Sequence, residues 1–404
     1  MSVRRDQRLR VFLVGTEFFR SYGGIQYINR LLVRAFCELG RSTPMDLEAF
    51  SFTDGPEHFP SAGEGEGAVR WHGASRRRGE MAWQFSRRLA SVRPDLVLFT
   101  HVSLLPLEEV VRTLAPRARV AALAHGTEVW HPLEGMVARA IPRVGSFACP
   151  SAFTAQKLAE VQGIPPSRIT VIPHGLGPEW TQQGESGGAA RHERPAGAGG
   201  LLLSVTRLSR ADREGKGIDL VLRALPAVFE RCPGARYMVV GGGGDLSRLA
   251  EMVRRLGLEG RTELTGARRE DGLRQAYADA DVFVLPTQVE GFGVVFLEAM
   301  YHRLPVVAVR ASATPEVVED GVTGLLVSPG DSNELSAALI ALLSDAERRR
   351  AMGEAGRRRV ERLYRFEHFV GRWERWLAAQ VPEALYAARQ SCAFQVASAA
   401  AGAT

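Results

Sequence analysis

Short apolar runs, each closed by loop residues and most followed by a helical pattern, recur along the whole chain. The first is LRVFLVG (9–15), then a Gly-containing turn, Ser21-Tyr22-Gly23-Gly24, and a helical pattern through Leu39. DLVLFTH (95–101), VAALAH (120–125), SFACP (146–150) and ITVIP (169–173) continue the series, with helical segments such as Phe153 to Val161 between them. Strands alternating with helices argue for a parallel, doubly wound sheet. The Gly/Ala/Pro-rich polar stretch 181–200 reads as a linker. The pattern restarts with LLLSVTR (201–207), a helix from Ile218 to Phe229 and ARYMVVG (235–241). TELTG (262–266), DVFVLP (281–286), PVVAV (305–309) and GLLV (324–327) complete it. The expected fold class is therefore α/β with two Rossmann-like domains, residues 1–180 and 201–365, joined by the linker. In such proteins ligands bind between domains and at the carboxyl ends of strands. The Ala/Ser-rich tail, 387–404, reads as disordered.

Composition narrows the class. A chain of 404 residues with 45% hydrophobic and 24% charged content suits a soluble protein of two or three domains. No apolar run approaches 18 residues, so no transmembrane helix is expected. The basic start MSVRRDQRLR leads into a short run that Gly15-Thr16-Glu17 closes, which suits a buried strand rather than a signal peptide. Cys37, Cys149, Cys232 and Cys392 show no CxxC spacing and read as reduced thiols of a cytosolic protein. Of 51 basic residues only Lys157 and Lys216 are lysines. A lysine that survives such a bias suits a place where a compact ammonium is needed and a planar guanidinium does not fit.

The sharpest constellation is Glu290-Gly-Phe-Gly-Val-Val-Phe-Leu-Glu298, directly after DVFVLPT. Amides at Gly293 to Val295 would point from a helix N-terminus toward an anion. Gly291 and Gly293 allow close backbone approach, and Glu298 shares a helical face with Val294 and could accept bonds from a vicinal diol. The same residues also suit a plain helix N-terminus with acidic residues favoured by the macrodipole. Arg207 at one strand's carboxyl end and Lys216 at the next helix's start can converge on a phosphate, or stand as solvated loop charges. His125 closes a strand of the first domain and faces a ligand or serves the structure. The Gly23-Gly24 pair allows amides to approach a phosphate or makes a tight turn. Asp279-Ala-Asp281 matches a metal-binding DxD, but one carboxylate ends a helix and the other enters a strand, so no metal site is expected. Gly241 to Gly244 breaks the dinucleotide fingerprint at Leu246, and no P-loop is present.

Together these residues resemble glycosyltransferase family 4, the retaining enzymes of the GT-B fold, over nearly the whole chain. The E-x7-E element, the arginine and lysine-glycine after the domain-opening strand, and TG, PEVV and DGVTGLLV in order carry the resemblance. It implies two Rossmann-like domains facing each other across a cleft, with the C-terminal helix 366–386 joined to the first. It implies hexosyl transfer from a UDP- or GDP-sugar to a glycan, glycolipid or small-molecule acceptor, with no metal and no cofactor. Glu298 then holds the ribose, and Glu290 and the loop amides of Gly291, Phe292, Gly293, Val294 and Val295 meet the donor sugar. Arg207 and Lys216 hold the diphosphate, His125 lies near the sugar, and Gly23 and Gly24 lie near the phosphates. The leaving diphosphate helps take the acceptor's proton. Three positions depart from the family: His174 where Asn is frequent, Ser312-Ala313-Thr314 where a Gly-Gly pair is common, and Gly126 in place of Asp after His125.

Two alternatives keep the fold and change the chemistry. An epimerase needs acid and base on both faces of a sugar, and a phosphorylase needs pyridoxal, commonly on a lysine. A non-catalytic nucleotide- or nucleic-acid-binding protein is the third class. The arginine clusters at 348–350 and 357–359 are interleaved with Glu347, Glu354 and Glu361 as on a solvated helix face, so no nucleic acid partner is expected. Residues 75–94 differ: six arginines stand against the single acid Glu80. Read as a helix, Met81, Phe85 and Leu89 face the core, while Trp83 shares another face with Arg87. A cationic surface with an outward aromatic suits peripheral contact with the cytoplasmic membrane, where a lipid-linked acceptor would be met. An ordinary solvated helix with Trp83 packed on a neighbour is the other reading.

Overall fold

The computed structural model describes residues 8–21, 23–60, 69–181, 199–209 and 215–389. Most of the expected linker, most of the expected tail, and Cys392 lie outside the described residues. The chain divides into two compact units, residues up to Pro173 together with those from Phe366 onward, and His174–Arg365. The helical turn Pro178–Thr181, which straddles the expected boundary between first domain and linker, lies in the second unit.

The first unit carries a seven-stranded parallel sheet: β1 Leu9–Gly15, β2 Met45–Ser51, β3 Val69–Gly73, β4 Leu96–Phe99, β5 Arg119–Leu123, β6 Ser146–Cys149 and β7 Ile169–Val171. Their order is β3-β2-β1-β4-β5-β6-β7, so the winding reverses between β1 and β4, in register from Val11 opposite Leu96 to Val14 opposite Phe99. The central strands are buried along their length, as sheet faces covered by helices require. On the helix Arg78–Val92 the buried residues are Met81, Phe85 and Leu89, at the four-residue spacing that predicts one core-facing stripe.

Two strands, β2 and β3, escape the apolar pattern because polar side chains interrupt them. Glu48 of β2 is buried, yet it accepts hydrogen bonds from Arg88 Nε at 2.9 Å, from Arg70 Nη1 at 3.3 Å and from a second Arg88 nitrogen, and it meets His72 Nε2 at 2.8 Å. Burial alone would raise its pKa, but the bonds and charges of Arg88 and His72 outweigh it and bring the carboxyl down to about 2. The cross-strand pair Phe50 and His72 stacks at 4.4 Å.

The helix Phe366–Gln380 completes this unit. Phe366, Phe369, Trp373, Trp376 and Leu377 recur at helical spacing and are all buried. Trp373 lies 6.0 Å from Phe36 of the helix Gly24–Ser42 and 5.0 Å from Trp376.

The second unit holds β8 Leu201–Val205, β9 Arg236–Val240, β10 Thr262–Gly266, β11 Val282–Leu285, β12 Val306–Val309 and β13 Gly324–Val327. All run parallel in the order β10-β9-β8-β11-β12-β13. Here the winding reverses between β8 and β11, where Val282 pairs with Leu202 and Asp281 accepts the Leu201 amide at 2.7 Å. The loops leaving β8 and β11 therefore start side by side at the carboxyl edge, where open α/β sheets bind ligands. Among the described residues no helix is long and apolar enough to cross a membrane.

Replacing Trp373 by Ala deletes a large side chain that is 1% exposed, while Trp83 is 62% exposed. Trp373→Ala should lower the unfolding free energy by ~3–5 kcal/mol, and Trp83→Ala by less than ~0.5 kcal/mol, read from urea titrations. Equal losses would remove the helix Phe366–Gln380 from the first unit's core.

Candidate active site

Four loops at the carboxyl edge of the second sheet assemble the predicted residues of that unit. The loop after β8 is held against the glycine run after β9: Thr206 donates to Val240 at 3.0 Å, Leu208 to Gly242 at 3.0 Å and Asp245 to Leu208 at 3.1 Å. A Cβ at Gly241 would lie 1.7 Å from the Thr206 carbonyl oxygen, and one at Gly243, whose φ is +150°, 2.0 Å from that of Leu208. Gly241 and Gly243 thus let the segment that carries Arg207 pass close by, a packing role for two residues of a run that superficially resembles a dinucleotide fingerprint.

Lys216 is placed by the loop after β11. Gly217 caps the helix Ile218–Arg231 with φ +73°, and its missing Cβ is what lets it abut the Pro286 carbonyl, at 2.3 Å from where that Cβ would stand. Gln288 donates to Gly215 at 2.9 Å, and Lys216 Nζ lies 3.0 Å from Glu290 Oε2. The two residues singled out separately, a surviving lysine and the first glutamate of E-x7-E, are therefore one ion pair. Arg207 and Lys216 line the same small cavity, together with Asp219, Asp245 and Arg248. Arg248 forks onto Asp219 at 2.7 and 2.8 Å and onto Asp245 at 2.6 to 3.1 Å. The Asp245 and Asp219 bonds push the guanidinium pKa up. This triad ties together the starts of the helices Ile218–Arg231 and Leu246–Arg255. Nothing in the local sequence pattern separates these three residues from ordinary helix-start charges, and sequence reasoning missed them.

The E-x7-E loop is fixed from its other side by the turn after β12. Ser312 Oγ accepts from the Glu290 amide at 3.1 Å and donates to the Gln288 carbonyl at 3.2 Å, and Ala313 donates to the Glu290 carbonyl at 3.2 Å. Gly291 is buried and Gly293 takes φ +89°, capping the helix Val294–Tyr301, whose first residues Val294 and Val295 are half-buried. No side chain caps that helix, so its first-turn amides are aimed at whatever lies above it. Phe292 enters only through its backbone: its ring is buried, 5.1 Å from His174 and 5.8 Å from Tyr364. Glu298, 8% exposed, accepts a 2.7 Å bond from Tyr277 Oη. Burial raises its pKa to about 7, against the lowering effect of the Tyr277 bond and with a contribution from Glu179.

The first unit holds the other predicted residues. His125 follows β5, and its Nε2 lies 2.7 Å from the Thr100 carbonyl, which can only accept, so the proton sits on Nε2. Burial is the chief cause that lowers its pKa, so the ring is neutral at neutral pH. His101 stacks on it at 6.1 Å. Gly23 caps the helix Gly24–Ser42 in an extended conformation, φ −176°, that any residue can adopt. A Cβ on Gly24 would meet nothing within 4 Å, and one on Gly23 only the flexible end of Gln26. The surroundings within the described residues therefore leave the space beside this pair open. The preceding loop is anchored by buried Asp54, which accepts from the amides of Phe18 at 2.6 Å, Phe19 at 3.2 Å and Arg20 at 2.7 Å.

Comparison with known proteins adds an independent line. Residues 196–359 match the family Glycosyl transferases group 1, and residues 22–180 match Glycosyltransferase Family 4. The chain is 33% identical over 272 residues, 63% of its length and 69% of the other's, to the GDP-mannose-dependent alpha-(1-6)-phosphatidylinositol monomannoside mannosyltransferase of Mycobacterium tuberculosis. To the protein of the same description from Mycolicibacterium smegmatis it is 29% identical over 361 residues, 86% of this chain and 92% of that one. Among solved structures, Anabaena HepE in complex with UDP and glucose superposes with a TM-score of 0.73 at 18% identity, covering 92% of this chain and 100% of that one. The sucrose-phosphate synthase of Thermosynechococcus elongatus gives 0.73 at 21% identity over the same shares of 92% and 100%. These two likenesses speak for the fold.

A buried carboxyl with a raised pKa stabilises the fold while it stays protonated, and that contribution is lost as pH rises through its folded pKa. For Glu298, raised from the usual 4.5 to about 7, the loss runs from about pH 4.5 to about pH 7. Glu298→Gln, which keeps the shape without the charge, should therefore gain melting temperature relative to wild type at pH 8 and gain little at pH 4. A difference between the two proteins that does not change with pH would show that Glu298 does not titrate in this window.

Proposed function

We infer that the chain, which belongs to glycosyltransferase family 4, is a retaining hexosyltransferase that takes its sugar from a GDP- or UDP-hexose without a metal ion. That it is a glycosyltransferase follows from the family; the donor, stereochemistry and metal independence are this proposal. One observation carries it: Lys216 stands 3.0 Å from Glu290 at the carboxyl edge of the second sheet, in a cavity shared with Arg207. Arg207 and Lys216 neutralise the charge that develops on the leaving diphosphate, a stabilisation that acts in the transition state. Glu290 holds the lysine in position until the donor arrives and then meets the donor sugar, with the backbone amides of Gly291 to Val295. Glu298 takes the ribose hydroxyls on the carboxylate oxygen that Tyr277 does not use. For the first unit, the resemblance to the family implies that Gly23 and Gly24 serve the donor's phosphates and neutral His125 its sugar. The departing diphosphate oxygen accepts the acceptor's proton, so no side chain need act as general base.

The two mannosyltransferases named above are described as GDP-mannose-dependent, which makes GDP-mannose the first donor to test. Their described acceptor is a glycolipid, and a lipid-linked acceptor at the cytoplasmic membrane face is proposed here too. The helix Arg78–Val92 supports it: Trp83 is 62% exposed and the Arg87 guanidinium lies 5.1 Å from its ring centroid.

With the donor that raises the melting temperature most, Lys216→Ala and Arg207→Ala should each lower kcat by ~10²–10³, and EDTA should leave the wild-type rate unchanged. Near-wild-type turnover in both variants would misplace the phosphate site, and activity abolished by EDTA and restored by Mn²⁺ would end the metal-free reading.

The membrane contact has its own test, co-sedimentation with anionic vesicles. Each basic residue near such a surface contributes ~1 kcal/mol, so replacing Arg76, Arg77 and Arg78 by Ser should release the protein into the supernatant, as should high salt. Equal recovery of wild type and triple variant would leave an enzyme that meets its acceptor in solution.

A further inference from the structure

Ser312 is in a conformation that costs a serine something: its φ is +47°, in the left-handed region that favours glycine. The backbone alone would be better served by glycine. The hydroxyl supplies a reason for the serine. It donates to the Gln288 carbonyl at 3.2 Å and accepts from the Glu290 amide at 3.1 Å, spanning the residues on either side of Val289. With Ala313 donating to the Glu290 carbonyl at 3.2 Å, both backbone groups of Glu290 are held by this turn. Glu290 in turn reaches Lys216 Nζ at 3.0 Å. A glycine at 312 would satisfy the left-handed backbone and keep the Ala313 bond, but would leave residues 288 and 290 without their bridge.

We propose that Ser312 is a positioning residue: its hydroxyl locks the backbone of residues 288–290 so that the Glu290 carboxylate is presented to the sugar end of the donor. The inference rests on the assignment of Glu290 to the donor sugar made above. It predicts an effect on the intact nucleotide sugar that the bare nucleoside diphosphate does not show, because the diphosphate and nucleoside contacts lie on Arg207, Lys216 and Glu298. Two variants separate the hydroxyl from the backbone strain. Ser312→Gly removes the hydroxyl and relieves the left-handed conformation; Ser312→Ala removes the hydroxyl and keeps the strain.

The experiment uses the full chain with three readouts: melting temperature, amide hydrogen exchange of a peptide spanning 286–293, and affinities for GDP, GDP-mannose, UDP and UDP-glucose. Ser312→Gly should melt no lower than wild type, whereas Ser312→Ala should melt lower. Both should exchange faster across 286–293. Both should bind the preferred nucleotide sugar about fivefold more weakly, the worth of one ordinary hydrogen bond, and should bind its nucleoside diphosphate with wild-type affinity. If Ser312→Gly matches wild type in exchange and in nucleotide-sugar affinity, the hydroxyl positions nothing and the proposal is overturned. Equal weakening toward sugar and diphosphate also overturns it, since that marks general loosening of the site. Wild type that binds none of the four ligands overturns the donor-site assignment itself and this proposal with it. In that case the exchange readout still reports whether the hydroxyl bridge holds the loop.

Discussion

The pairing of β8 with β11 is the constraint on which the candidate donor site depends. The two strands start 81 residues apart by number, at Leu201 and Val282, yet they lie adjacent because the winding reverses between them. Ser204 of β8 donates to the Val284 carbonyl of β11 and bonds Tyr237 of β9 at 2.7 Å, which ties three strands together below the site. At a reversal no crossover helix covers the carboxyl ends of the two central strands, so the loops leaving them line an open edge. Arg207 and Lys216 leave with one strand, Glu290 and Glu298 with the other. Their convergence is a property of the strand order before it is a property of any side chain.

Charge in this molecule is placed where it is matched. Glu48 is buried and stays ionised because Arg88 and His72 more than offset its desolvation, whereas Glu298 is buried with a tyrosine and no cation among its perturbing groups, and its pKa rises instead. The same physics gives opposite results because the partners differ. Lys216 shows why its identity matters in an arginine-rich chain. Its side chain sits 25% exposed beside a glycine that abuts backbone, where a compact cation on a slim stem reaches Glu290. A guanidinium needs a planar fork of space and suits the role that Arg248 plays between Asp219 and Asp245.

Glycines near the site fall into two kinds. Gly217 and Gly241 are required by the fold, since a Cβ would strike a backbone carbonyl, and Gly293 combines φ +89° with a Cβ that would strike the ring of Phe296. Gly24 meets no such obstacle, and Gly23 has an ordinary extended backbone. Packing thus accounts for Gly217, Gly241 and Gly293, and leaves the space beside Gly23 and Gly24 open.

The sequence by itself determined what depends on local period and local chemistry. Apolar runs alternating with helical patterns specify two parallel-sheet units, Met81, Phe85 and Leu89 specify which face of their helix is buried, and the spacing of Glu290 and Glu298 specifies a loop and a helix start. It did not reveal β2 and β3, whose polar residues look like loop until Arg88 arrives from the helix Arg78–Val92 to neutralise Glu48. Nor did it reveal that Lys216 and Glu290 are one pair, that Arg248 joins two helix starts, or that Ser312 in a left-handed turn grips the loop 22 residues before it. Each of these rests on a partner distant in the chain, and a partner's distance is set only when the strands are ordered. Periodicity is a local consequence of backbone geometry; a hydrogen bond between loops is a consequence of topology, and only the tertiary structure decides it.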